Sequence, residues 1–290
     1  MRRRPAAALT TTGMITPMKD HDNLRTLFNT GRRRRALVAG AGALALTGAL
    51  SVTAFLSGSA SAAPAHATSK SPAAAVSLSG WNLTLPVDSS GCQCGSATEI
   101  SPATVKSPWL VRNSDGSLTF WAPTKGAHTP HSLHPRTELV STADFTAGSG
   151  THTLTGTFVM QKLPSANDII IGQIHGGGSS SAIPLLMLHY RNNGELVVVT
   201  RKNPTSGSTS ATVLTGVPMN AAFSYTITQS GMKMTVTATY GGKHGSAVVP
   251  VPSSFRGMDV RFQAGDYQQT NANNSSTDGG RLTVTALSQS

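Results

Sequence analysis

The sequence predicts an all-β protein: an antiparallel two-sheet β-sandwich (jelly roll) with a concave substrate groove. Three observations predict it. Beyond residue 77, apolar and polar residues alternate with a period of two along segment after segment; Gly, Pro, Asn and Ser punctuate these segments at short intervals; and no stretch of ten or more residues carries a helical stripe. Strands with one apolar face must each bury it, and two stacked sheets do so for many strands at once.

The segments justify this in order. Leu118 and Phe120 alternate with Thr119 and Trp121, and Leu154, Gly156, Phe158 and Met160 with Thr153, Thr155 and Thr157. Asp168-Ile-Ile-Ile-Gly-Gln-Ile-His175 breaks the alternation. It is apolar on both faces as far as Gln173, which predicts a central strand covered on both sides. Asn192-Asn-Gly194 between residues 185–191 and 195–202 is a hairpin signal. Met232, Met234, Val236, Ala238 and Tyr240 then interleave with Lys233, Thr235, Thr237 and Thr239 as a further half-buried strand.

Residues 1–62 read as an export signal, not as fold. A basic start ends in Arg32-Arg33-Arg34-Arg35, an Ala/Leu/Gly/Val run follows, and small residues close it at Ser57–Ala63. The arginine run before a mildly apolar segment also fits a twin-arginine signal, whereas a membrane anchor is disfavoured by the Ala/Gly composition. Residues 63–76 read as a flexible leader and 77–290 as a single domain. The expected location is secreted, extracellular, with a monomer and no stable membrane association after signal removal.

The net charge of +11 belongs mostly to the signal. It holds nine of the 23 Lys/Arg but only two of the 12 Asp/Glu, so the remainder has 14 basic and 10 acidic residues. A mild positive excess suits an acidic polymer. No basic cluster is interleaved with aromatics, so nucleic acid is not an expected partner. Cys92 and Cys94, the only cysteines, suit a local disulfide in an exported protein and make a poor zinc site. No metal or cofactor is expected.

Three strings carry the chemistry: His134-Pro-Arg-Thr-Glu-Leu139, Gln173-Ile-His175, and Arg261-Phe-Gln-Ala-Gly-Asp-Tyr-Gln-Gln269. Residues two apart in a strand share a face. Arg136 with Glu138, Gln173 with His175, and Arg261, Gln263, Tyr267 and Gln269 are thus three same-face sets. An arginine, an amide, an imidazole and a phenol suit removal of a proton beside a carboxylate. His128, His131 and His134 lie in a Pro-punctuated loop that is expected to rim the groove.

These strings resemble the signatures of polysaccharide lyase family 7, the alginate lyases with a β-jelly-roll fold. Arg136-Thr-Glu-Leu139 and Gln173-Ile-His175 match completely, and Gly265, Tyr267 and Gln269 match the third signature. Arg261 stands where that family usually has tyrosine, and Gln263 where it has lysine. Trp81–Pro86, Pro184–Tyr190 and Gly280–Leu287 also resemble family strands, so the likeness spans about residues 78–288.

The resemblance implies a secreted endo-acting alginate lyase that cleaves 1,4-glycosidic bonds by β-elimination and leaves unsaturated uronate ends. Arg136 and Gln173 would neutralise the substrate carboxylate. His175 would act as base, and Tyr267 as acid or, on a mannuronate, as both. Glu138, Arg261, Gln263, Gln269 and Arg191 are expected to bind or support substrate. A lyase of another uronan such as glucuronan shares this chemistry. A non-catalytic carbohydrate-binding jelly roll would have no need of His175 and Tyr267. A glycoside hydrolase needs two facing carboxyl groups, and the strings offer only Glu138 besides a core-facing Asp266.

Overall fold

A computed structural model describes residues 75–290 of the chain. The expected export signal and most of the leader lie outside the described residues. The packed body begins at Val76, which is buried and donates its backbone N–H to Gly116.

The strands, in chain order, are β1 (Trp81–Thr84), β2 (Glu99–Ile100), β3 (Leu110–Arg112), β4 (Leu118–Pro123), β5 (Arg136–Ser141), β6 (Phe145–Thr146), β7 (Thr151–Lys162) and β8 (Asp168–Gly176). There follow β9 (Pro184–Arg191), β10 (Leu196–Arg201), β11 (Ser208–Leu214), β12 (Ala222–Ser230), β13 (Lys233–Tyr240), β14 (Lys243–Pro250), β15 (Asp259–Gln268) and β16 (Gly279–Gln289). Helix is confined to two single 3-10 turns among the described residues.

Every strand pair is antiparallel, and the strands form the two expected sheets. The larger runs β11-β10-β9-β8-β15-β5-β1-β2, with β6 on the end of β15, and the smaller runs β14-β13-β12-β7-β16-β4-β3. Non-consecutive neighbours such as β8-β15-β5 arise from long crossovers and bring the three signature strings onto adjacent strands.

The alternation read from sequence is the burial pattern observed. Leu154, Phe158 and Met160 in β7, Met234, Val236 and Ala238 in β13, and Leu118 and Phe120 in β4 enter the core. Met232 differs: it sits in the turn before β13 and is exposed. The outward positions of the smaller sheet hold hydroxyl pairs, Thr155 with Thr226 and Thr157 with Ser224 among them.

The apolar run of β8 has a specific cause. Ile169 and Ile171 enter the core, Ile170 turns outward opposite Tyr267, and a bulge at this point resets the alternation so that Ile174 is again inward. Gly172 stands at the bulge because the Tyr225 hydroxyl from the facing sheet comes within 2.4 Å of where a Cβ would lie. That hydroxyl donates to the Ile171 carbonyl at 2.8 Å and satisfies a backbone acceptor that the bulge frees. Gln173 and His175 are thereby aimed away from the core.

Candidate active site

β15 lies between β5 and β8, so the third string separates the first from the second. Its register sets Tyr267 opposite Arg136 and Gly265 opposite Glu138 on one side, and Gln263 opposite Gln173 and Arg261 opposite His175 on the other. Paired residues project from the same face. All seven non-glycine residues of these pairs leave the outer face of the larger sheet, while Leu139, Ile174, Phe262 and Ala264 join the core. Gly265 permits this close pairing: with φ +148° and the Thr137 carbonyl 2.7 Å from a Cβ position, a side chain would push β15 off β5.

Glu138 is the hub. Fully buried, it accepts from the Gln173 amide at 2.6 Å on one oxygen and from Arg136 at 3.3 Å on the other. Burial pushes its carboxyl above the usual range, and Arg136 and Gln173 oppose that shift. The Gln173 amide nitrogen also donates to the Gln263 carbonyl oxygen at 3.0 Å. A flipped amide would set oxygen against two oxygens, so the network fixes its orientation. Gln263 therefore acts as an acceptor that locks Gln173, which a lysine at this position would not do.

His175 is nine-tenths buried, and its pKa is pulled down to about 3, first by burial and then by the charges of Arg136 and Arg261. It is neutral at any ordinary working pH. Its Nδ1 lies 3.4 Å from the Gly176 carbonyl, an oxygen that only accepts, so the proton resides on Nδ1 and the Nε2 lone pair is the basic one. The Arg261 side chain, opposite it, makes no hydrogen bond or ion pair among the described residues, and its Nε is buried without a partner. The positive charge that the family usually carries at position 263 is present here, opposite His175.

Tyr267 is held from two directions. The Arg136 guanidinium stacks on its ring, and its hydroxyl lies 2.9 Å from the Ser132 hydroxyl. Arg136 also donates to the Thr129 hydroxyl at 3.3 Å. Both partners come from the histidine-bearing loop before β5, which does border the site, and sequence reasoning missed them. A Ser and a Thr in a loop of His, Pro and Thr give no periodic signal that could have singled them out.

Arg191 sits apart from this cluster, and Gln269 spends its amide on the backbone next to it. Arg191 lies at the far end of β9 and pairs with Asp168 at 3.4 Å, alongside His189, whose Nδ1 is 2.7 Å from the same carboxylate. Gln269 lies just past β15 and turns its amide back to the Tyr267 carbonyl at 3.0 Å. Cys92 and Cys94 are joined by a disulfide in the loop after β1.

A two-sheet sandwich of this kind, with these polar residues on one sheet face, is the jelly-roll fold of a polysaccharide lyase, the class to which the family match assigns the chain. The chain belongs to the alginate lyase family, whose profile matches residues 76–290. Its fold is similar to that of alginate lyase PA1167 from Pseudomonas aeruginosa, at 29% identity and TM-score 0.64 over 74% of this chain and 99% of that one. Alginate lyase A1-II′, a member of polysaccharide lyase family 7, is similar at 29% identity and TM-score 0.62 over 74% and 96%. Variants of A1-II′ have been solved with a GGG product and with a GGMG substrate. The alginate lyase from Klebsiella pneumoniae shares the fold at 22% identity and TM-score 0.63 over 73% and 95%. No match is found among curated proteins.

Proposed function

We propose that this protein is a secreted, endo-acting alginate lyase that opens 1,4-glycosidic bonds by β-elimination. The convergence of Arg136, Gln173, His175 and Tyr267 on one sheet face, in a chain of this family, carries the reading. The C5 hydrogen beside a uronate carboxylate is a very weak acid while that carboxylate keeps its full charge. Arg261, with its hydrogen-bonding capacity unspent, and Arg136 supply the positive field that stabilises the enolate-like intermediate. Gln173, locked by Glu138 and Gln263, shapes the floor beside them. Neutral His175 takes the C5 proton on Nε2, the C5–H electron pair forms the C4=C5 double bond, and the C4–O bond breaks. Tyr267 delivers its proton to the leaving oxygen. Ser132 holds the phenol in place for this step. Export through the N-terminal signal puts the enzyme where the polymer is.

The test is incubation with polymannuronate, polyguluronate and glucuronan, following the ultraviolet absorbance of the new double bond. Absorbance with either alginate block and a ladder of short products is expected. Cleavage of glucuronan alone would move the substrate to another uronan. No absorbance with any of the three would sink the lyase reading.

A further inference from the structure

We infer that the outer face of the smaller sheet carries a second, non-catalytic site for an acidic polysaccharide, centred on Trp121. The site is a cross-strand row. Arg281 of β16 pairs with Trp121 of β4 on one side and with Lys162 of β7 on the other. The Arg281 guanidinium carbon lies 4.9 Å, and the Lys162 ammonium 5.2 Å, from the Trp121 ring centroid. Gln161, Asn220 and Thr277 complete the wall of an open depression of about 660 Å³ that no carboxylate lines. That volume falls within the roughly 300–1,000 Å³ of ligand sites.

The setting argues that this is more than an aromatic residue covered by its neighbours. Much of this face carries cross-strand hydroxyl pairs, including Thr119 with Thr283 at 3.0 Å next to the row. A half-buried indole with two exposed cations interrupts it. The indole offers apolar surface for the C–H side of a pyranose, Arg281 and Lys162 (beside its bond to the Thr277 carbonyl) offer partners for its carboxylate, and the side-chain amides of Gln161 and Asn220 offer hydrogen bonds to hydroxyls. A neutral glycan would leave the cations unused. A nucleic acid favours several stacked rings along a basic track, and here there is one ring. The catalytic residues occupy the other sheet, so the row is not a continuation of that groove. A polymer held here stays near the enzyme while another stretch of it reaches the site on the opposite side. The choice of a uronan as ligand rests on the function proposed above.

The test separates binding from turnover. In a His175→Ala background, which prevents cleavage, polymer affinity is measured for Trp121→Ala and, separately, for Lys162→Glu, an exposed position outside the core. Each is expected to weaken polymer binding about tenfold, the scale of one aromatic or one charge contact. With His175 intact, both variants should cleave a short uronate oligomer with kcat/KM within about twofold of the parent. Unchanged polymer affinity in both variants overturns the second site while leaving the lyase reading intact. Loss of duplex-DNA binding with no loss of uronan binding would also overturn it. If no uronan is cleaved, the lyase reading falls. Quenching of tryptophan fluorescence by uncleaved alginate, compared between the parent and Trp121→Ala, then decides the second site alone: equal quenching in the two sinks it.

Discussion

The guanidinium carbon of Arg136 lies 3.4 Å from the centroid of the Tyr267 ring, so the cation nearest the proposed acid is stacked on its face and not paired to its hydroxyl. Stacking of this kind needs a planar group, which distinguishes arginine from lysine here. Arg136→Lys keeps the charge and loses the plane and the fork. A fall in kcat/KM of about 10²–10³ is expected, the scale of a lost charge-stabilising donor. Tyr267→Phe should lose about 10²–10⁴ with an unchanged circular dichroism spectrum. Full activity in Tyr267→Phe would remove it from the proton path.

The pH behaviour should reflect His175. With a pKa near 3, its basic form is already complete at neutral pH, so kcat/KM should show no acid limb at the ordinary histidine value of 6.5. The same shift has a stability sign. Below pH 6.5 the unfolded chain binds a proton that the folded site refuses, so this residue's contribution to stability falls as pH drops from 6.5 towards about 3. His175→Asn should flatten that slope in denaturant melts at a series of pH values. An identical slope in parent and variant would show that the histidine is not sheltered as described.

Glu138 should matter more to architecture than to contact with substrate. Glu138→Ala leaves Arg136 buried without its counter-charge and Gln173 without its main acceptor, and the expected loss is about 3–5 kcal/mol of stability. Glu138→Gln keeps the shape but sets an amide donor against either Arg136 or Gln173. It should lower kcat more than it raises KM. A fold as stable as the parent in Glu138→Ala would refute the hub.

Asp266 points to the core side and is fully buried; the Ala122 backbone approaches it and favours its charged form, but neither oxygen has a partner of ordinary hydrogen-bond geometry. Burial pushes its carboxyl well above the usual range, so the folded protein keeps a proton that the unfolded chain releases above about 3.8. Its contribution to stability therefore declines as pH rises past that value. Asp266→Asn, neutral at every pH, should melt at or above the parent at pH 8 and lose this advantage near pH 3.5. A variant less stable than the parent at pH 8 would show that the carboxylate has a partner there.

The fold was legible because strands of the smaller sheet keep one wet face: the alternation of Leu154–Met160 or Met234–Ala238 is a direct print of burial, whereas β5 and β8 of the larger sheet are buried on both faces. The site was legible for a related reason, since charged and polar residues at alternate positions in Arg136–Glu138 or Gln173–His175 contradict a solvated edge unless something needs them. Sequence alone could not show which polar residues are spent on one another. Gln173 read as a donor to the substrate carboxylate and Gln263 as a substrate contact, yet the first donates to the second. Arg191 read as a substrate cation, yet Asp168, twenty-three positions away, holds it. Ser132 and Thr129 were invisible because loops carry no period, and their roles arise only when β5 and β15 pair.

The low proton affinity of His175 bears on its proposed role as the base. Two guanidinium charges help to depress it, and an arriving polyanion brings carboxylates to neutralise those same charges. Occupancy itself then raises the basicity of the imidazole, so the empty enzyme is the weaker base and the loaded one the stronger. Added salt would mimic half of this by screening the arginines while also loosening the polymer. A maximum in rate at intermediate ionic strength is the signature to look for.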